Sequence, residues 1–314
     1  MHAFKRPVLP EDLGQSTPSL IHWLKHCLPE LSGNAVKKLI ETGKIQVDGK
    51  TITHPVTPLK VGQEVACVPQ APRADKQHLQ GPKLYHLDSM VVVAEKPTGL
   101  LTLPFEEERV ALLTEVMRVI PKIEKAGRIF PLRGVHRLDK ESSGLVVFAR
   151  HVKAQQQLQA QFEAHTVERA YLALVHGEVA FDGRVRHQSV LVPDRGDGLK
   201  GSAHSPEQIG KHAVTYLEVL ERLPGATLLR CELETGRTHQ IRIHCAELGH
   251  PLVGEPVYIR DFRGKLLDAP RMMLHATTLG FDHPASGERL RFVSPPPALF
   301  ESVLQRLRKL ARSA

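Results

Sequence analysis

Aromatic residues are scarce in this 314-residue chain: one Trp, four Tyr and ten Phe make up 5% of it. A surface that stacks many bases in succession needs more rings, so a multi-base stacking platform is not expected. Cysteine is rarer still. Cys27, Cys67, Cys231 and Cys245 stand far apart with no close pair, which speaks against a disulfide framework or a zinc knuckle and suits a reduced compartment. No run approaches the roughly 18 consecutive apolar residues of a membrane helix, and Met1–Pro10 lacks the apolar stretch of a secretion signal. A soluble, cytoplasmic protein without membrane contact is therefore expected. Glycine-rich phosphate loops and internal repeats are also missing.

Acid is outnumbered. Lys plus Arg total 42 against 34 Asp plus Glu, a formal net charge of +8. The excess is spread along the chain, +3 over residues 1–80 and +5 over the remainder, so it forms no basic tail. Such a balance permits a nucleic-acid partner without demanding one. The hydrophobic share of 41% and the length allow about two folded domains, each with a core.

The first seventy residues read as a small α+β unit. Thr17-Pro18 has the form of a helix N-cap followed by the first helical position, and Leu20, Ile21, Leu24, Cys27 and Leu28 then recur at helical spacing. A second helix begins near Gly33 or Asn34, buries Val36, Leu39 and Ile40, presents Lys37 and Lys38, and stops at Gly43. Ile45 and Val47 alternate with polar residues up to Asp48-Gly49, a hairpin turn signal, and Glu64–Val68 reads as a further strand. This order, with residues 38–49, resembles the alpha-L RNA-binding motif. Many members carry an Arg where this chain has Gly33 after Ser32. The resemblance implies that Lys37 and Lys38 contact RNA, against the plainer reading of a solvated helix face.

Residues 71–84, rich in polar residues and proline, read as a linker, and 85–314 as a second domain. Strands are expected at Met90–Ala94, Gly144–Ala149, Arg169–Val175, Ala213–Leu220 and Thr227–Leu233, and helices around Leu112–Ile120 and Ala154–Phe162. Asp182–Lys211, with five Gly and two Pro, reads as a loop. Hairpin-like spacing in the second half favours a mixed, largely antiparallel sheet and an α+β class.

Two polar clusters could carry chemistry. Gly134–Gly144 packs His136, Arg137, Asp139, Lys140, Glu141, Ser142 and Ser143 before the apolar strand Leu145–Phe148, a position from which a loop presents side chains over a rigid sheet. An ordinary solvated turn is the bland alternative. A Ser-His-Asp hydrolase using His136, Asp139 and Ser143 has the residue types but no Gly-x-Ser-x-Gly elbow. The second cluster, Glu234–His244, contains Arg237 and His239. His239, His244, Cys245 and His250 match no standard zinc spacing, so no metal is expected.

Taken in order, these stretches resemble the RluA-type family of RNA pseudouridine synthases over about residues 88–300. The most specific part is His136-Arg137-Leu138-Asp139-Lys140-Glu141-Ser142-Ser143-Gly144-Leu145. Glu95–Leu100 resembles the family's first motif, Arg169–Gly177 its tyrosine-bearing strand with Arg169 where Lys is frequent, and Gly236–His244 with Gly249–Gly254 its third motif. Glu255 stands where Asp is usual, and Leu274-His275-Ala276, Phe281–Pro284 and Pro295–Pro297 complete the pattern.

The resemblance implies a pseudouridine synthase fold and an isomerisation that breaks the bond from ribose to a uracil nitrogen and rejoins the base through a ring carbon, with no cofactor. It implies that Asp139 is the catalytic carboxylate, adding covalently or moving a proton, that Arg237 is the cation keeping it ionised, and that Tyr171 packs on the target base and handles the proton lost from carbon. Leu274 would shape the pocket, and His136 and Arg137 would organise the loop or contact RNA. The expected partner is structured RNA, large-subunit ribosomal RNA ahead of transfer RNA, met by a monomer. A noncatalytic RNA-binding ribosome-assembly factor is the competing class; intact Asp139, Tyr171 and Arg237 argue against it.

Overall fold

The computed structural model describes residues 3–12, 19–52, 57, 59–71, 82–106, 110–124, 131–203, 205 and 207–313. It divides into two compact units, Met1–Gln80 and Gly81–Ala314. Most of the expected linker lies outside the described residues, as does the Thr17-Pro18 helix start.

The first unit contains β1 (Phe4–Pro7), α1 (Leu20–Cys27), α2 (Gly33–Glu41), β2 (Ile45–Val47), β3 (Lys50–Ile52) and β4 (Glu64–Cys67), with its sheet in the order β1-β4-β2-β3. The Ser32 hydroxyl caps α2 by accepting the Ala35 N–H at 3.2 Å, which satisfies one of the donors a helix start leaves open. Asp48 and Gly49 both take positive φ, 51° and 75°, the two-residue turn whose twist matches a right-handed hairpin. Trp23, Leu20 and Leu24 of α1 and Val36 and Ile40 of α2 bury against Ile45 and Val65 of the sheet. That is a complete small core. Strand β1 extends the unit beyond the pattern read from sequence, pairing antiparallel with β4.

The second unit runs β5 (Leu84–Leu87), β6 (Val91–Lys96), α3 (Leu112–Ile123), β7 (Arg133–Gly134), β8 (Ser143–Ala149), α4 (Val152–Glu163), β9 (Glu168–His176), β10 (Arg184–Val192), β11 (Gly201–Ser202), β12 (Lys211–Leu223), β13 (Ala226–Leu233), α5 (Gln240–Glu247), β14 (Leu274–Asp282), β15 (Arg289–Val293) and α6 (Ala298–Ser313). The sheet order is β11-β10-β12-β13-β9-β14-β8-β6-β5, with β15 on β14 and β7 on β8. Every ladder is antiparallel except β14 against β8. The α+β, largely antiparallel expectation is met. The expected loop over Asp182–Lys211 is corrected: β10 occupies nine of its residues and pairs with β12.

Helices cover both faces of the central strands, so these read as continuous apolar runs. Side chains at every second position divide between faces. Val92 and Ala94 of β6, Val146 and Phe148 of β8, and Tyr171 and Ala173 of β9 join one core with α3 and α5. Val91, Val93, Leu145 and Val147 pack with Ala154 and Leu158 of α4 on the other face, and Leu174 with Phe300, Val303 and Leu304 of α6.

Candidate active site

The loop ahead of β8 is held by its backbone. The Thr102 hydroxyl accepts the Leu138 N–H and donates to the Leu138 carbonyl, both at 3.0 Å. Asp139 O accepts the Ser142 N–H at 3.1 Å, Lys140 O accepts the Gly99 N–H at 2.7 Å, and Glu141 O accepts the Thr98 hydroxyl at 2.6 Å. Each carbonyl from 138 to 141 thus has a donor, two of them from the Pro/Gly turn after β6. Lys96 completes the clamp: fully buried, its Nζ donates to Lys140 O at 3.0 Å, Pro97 O at 2.9 Å and Leu100 O at 2.7 Å. Burial pushes this amine down to about 7, with Arg271 acting in the same direction, while three carbonyl acceptors call for all three ammonium protons. Gly144 ends the loop at φ 123°, and a Cβ there would lie 2.2 Å from Ala276 O on β14. Only glycine fits that contact.

The clamp aims Asp139 at α5, and the cation facing it is Arg242. Arg242 Nη1 lies 3.3 Å from Asp139 Oδ2, and His239 Nε2 lies 3.8 Å from Oδ1. The expectation that Arg237 plays this part is corrected. Arg237 belongs to the turn before α5, where its Nε donates to His212 O at 3.0 Å, whereas Arg242 is the third residue of the helix. Helix phase carries the later arginine inward. Its guanidinium is 3% exposed and forks onto Glu255, with Nε to Oε2 at 2.8 Å and Nη2 to Oε1 at 2.6 Å. Burial alone would weaken such a cation; the Glu255 and Asp139 carboxylates outweigh it and raise its pKa. Glu255 Oε1 also accepts the Val257 N–H at 2.9 Å. Tyr258 places its ring 5.2 Å from the Arg242 guanidinium, and its hydroxyl meets His239 Nδ1 at 2.8 Å. Sequence reasoning missed Arg242, Glu255, His239 and Tyr258 as one assembly, although the first three lie in the stretches it singled out.

Tyr171 and Leu274 share the buried cluster that contains Leu138 and Ile241, so β9 and β14 bring both beside the clamped loop. Burial pushes the Tyr171 phenol up to about 12, with Arg169 opposing and Asp139 adding to the rise, so it is protonated at neutral pH. His136 has an organising contact: its Nε2 accepts the Val147 N–H at 3.1 Å and its ring stacks on Phe162 with centroids 4.7 Å apart. Burial and Arg169 push it down to about 3, in accord with an unprotonated Nε2. Arg137 is exposed and donates to the Thr238 hydroxyl at 3.4 Å. Lys37 and Lys38 are exposed on α2 of the first unit.

The hydrolase alternative fails on geometry. Ser143 Oγ is buried and meets His275 Nδ1 at 2.8 Å, away from His136, and His275 Nε2 donates to Ser294 O at 3.2 Å. Of the histidines weighed as metal ligands, His239 meets Tyr258 and His250 meets His176 O. Among the described residues, one trio, His187, His244 and Glu247, has ligand atoms all within 4.8 Å. They tie α5 to β10 and β12 by hydrogen bonds: His187 meets Glu247 at 3.1 Å, and His244 meets Ser189 at 3.1 Å and Thr215 at 2.8 Å.

A loop-borne aspartate answered by a buried, carboxylate-anchored arginine and flanked by a strand tyrosine agrees with the family that the motifs resemble. Residues 90–247 match the family model described as RNA pseudouridylate synthase, and the chain belongs to this family. It is an RNA-modifying isomerase. The chain is 34% identical over 303 residues to the ribosomal large subunit pseudouridine synthase D of Nitrosomonas europaea, covering 93% of this chain and 85% of the relative. The protein of the same name from Pseudomonas aeruginosa is also 34% identical, with 90% and 89% covered. Among solved structures, human RNA pseudouridylate synthase domain containing 4 superposes with a TM-score of 0.59 at 25% identity, over 72% of this chain and 92% of that one.

Proposed function

We propose that this protein converts specific uridines of large-subunit ribosomal RNA to pseudouridine, acting in the cytoplasm as a monomer. The observation that carries the site assignment is the Asp139–Arg242–Glu255 chain: a bidentate, buried Arg–Glu fork leaves one guanidinium nitrogen directed at Asp139. The ribosomal target is supported by relatives named for the large subunit, which align over about nine-tenths of the chain.

In this reading Asp139 works as the anion, as nucleophile or as base, and Arg242 holds its carboxylate in place through the reaction. Glu255 fixes Arg242, a fork that a lysine could not reproduce. Tyr171 offers its ring to the uracil face. A phenol pushed up to about 12 must give up its own proton before it can take one from carbon, so its hydroxyl serves better as a donor or within a relay than as the resting base. Leu274 closes the apolar side of the pocket. The target uridine must leave its stack, at a cost of a few kcal/mol that backbone contacts offset. Arg137, exposed beside the loop, and Lys37 and Lys38 of an alpha-L-type first unit would make such contacts.

Chemical mapping of pseudouridine in RNA from cells lacking the protein tests this. One or more large-subunit sites should lose the modification, regain it with wild type and stay bare with Asp139→Asn. Loss confined to transfer RNA would reassign the target. An unchanged map would reject the reading.

A further inference from the structure

The correction at Asp139 leaves Arg237 without the role its motif suggested. Arg237 lines a cavity of about 500 Å3 together with Arg137, Arg169, His136, Phe162 and Tyr171. Tyr171 is shared with the catalytic centre, but Asp139 is not in the wall. Three guanidinium groups therefore meet there against one carboxylate, Glu163, which is exposed.

Arg169 is the most informative of the three. It is 9% exposed, and its Nη2 donates to Glu234 O at 3.0 Å, but its Nε is buried without a hydrogen-bond partner. An unsatisfied buried donor is costly, and here it belongs to a cation. The group is held in place on both sides: its Cζ lies 5.4 Å from the Phe162 ring centre, and Gly236 leaves room for it, since a Cβ at 236 would come within 2.4 Å of Nη1. The Arg169 and Arg237 charges repel, and burial with Arg237 lowers the Arg169 pKa. Among the described residues Arg237 makes no ion pair. Packed like charges, a planar fork and an orphaned donor together describe an anion site waiting for its ligand.

We propose that Arg169 and Arg237, with Arg137 at the rim, form a phosphate site that grips the backbone of the substrate RNA strand beside the target uridine. The inference rests on the RNA reading above and deepens it. The ligand is a phosphodiester: the guanidinium groups accept no hydrogen bonds, so they do not read base acceptors and donors together, and the aromatic wall is already covered by Arg169 and His136. The contact fixes the register of the strand and is blind to sequence.

The test is filter binding of the full chain to unmodified large-subunit ribosomal RNA and to an unrelated RNA of equal length, across 50–300 mM KCl. Each lost phosphate contact should flatten the slope of log affinity against log salt by about 0.7 to 1. Arg237→Gln should show this loss equally on both RNAs, and Arg237→Lys should restore the slope because it restores the charge. Arg169→Lys should weaken binding at every salt concentration while keeping most of the slope. Gly236→Ala, which displaces Nη1, should match Arg169→Lys. Thermal unfolding of each variant identifies any that are misfolded, and Arg237, whose side chain among the described residues hydrogen-bonds only to His212 O, is the variant that decides. An unaltered slope in Arg237→Gln would overturn the proposal, as would a loss confined to the ribosomal RNA. Pseudouridine formation by wild type on the same RNA is scored separately, so a wrong target and a wrong phosphate site give different results.

Discussion

At Asp139 the proposed chemistry depends on one carboxylate whose neighbours are fixed without it. Arg242 keeps two hydrogen bonds to Glu255 when Asp139 is changed. Asp139→Asn should therefore abolish pseudouridine formation, by at least about a thousandfold, while thermal unfolding shifts little; a large loss of stability would mean that the aspartate is structural. Glu255→Gln should do the opposite kind of damage. It removes one charge from a buried pair, costing about 3–5 kcal/mol in denaturant unfolding and lowering activity as well. The placing of Asp139 on a loop and of Tyr171 on a strand was readable from the order of the motifs. Choosing between Arg237 and Arg242 was not, because both lie in one motif and only the start of α5 after the turn decides which faces the loop. His239 opens that helix with φ 60°, and a left-handed residue of this kind has no sequence signature strong enough to fix helix phase.

Among the elements, the clamp between the turn after β6 and the loop before β8 is where rigidity is built. Lys96→Met would take this donor from the Pro97 and Leu100 carbonyls and leave Lys140 O with the Gly99 N–H alone, and we expect a loss of about 2–4 kcal/mol in unfolding free energy with a fall in turnover, since the loop loses one of its two ties at Lys140 O. Gly144→Ala should be worse still, because the obstacle is the Ala276 backbone, which cannot move out of the way; failure to accumulate folded protein is the expected readout. Strands β6, β8 and β9 were legible because both faces are apolar. Strand β10 was not. Its inward residues include His187 and Ser189, which bond to Glu247 and His244, so the face that packs on α5 is polar and the alternation reads as a loop. Helix α6 was not among the expected helices, although Phe300, Val303, Leu304 and Leu307 recur at i, i+3, i+4 and i+7.

For the whole molecule, buried neutral histidines, His136 and His275 among them, set the acid limit. His136 is pushed down to about 3 and His275 to about 4, chiefly by burial. Both folded values lie below the ordinary 6.5, so the unfolded chain binds more protons between about pH 7 and pH 4. Stability should be full above pH 7 and fall as the pH drops through that window, by a few kcal/mol for each histidine. Urea midpoints at pH 7.5, 6 and 5 check the slope, and His275→Gln should flatten it. The first unit has its own prediction. Lys37→Glu with Lys38→Glu should weaken RNA affinity more steeply at low salt than at high salt, leaving thermal unfolding unchanged, because both side chains are exposed on α2.

The seam where β8 meets β14 has a consequence for when the enzyme comes alive. His275 and Ala276 sit opposite Ser143 and Gly144, at the very end of the loop that carries Asp139. Asp139 is therefore synthesised long before the strand that seats its loop. At about 5–20 residues per second, several seconds of translation separate the two. Until β14 has left the exit tunnel, the loop that carries Asp139 lacks that partner, and its seat on the sheet is completed only near the end of synthesis.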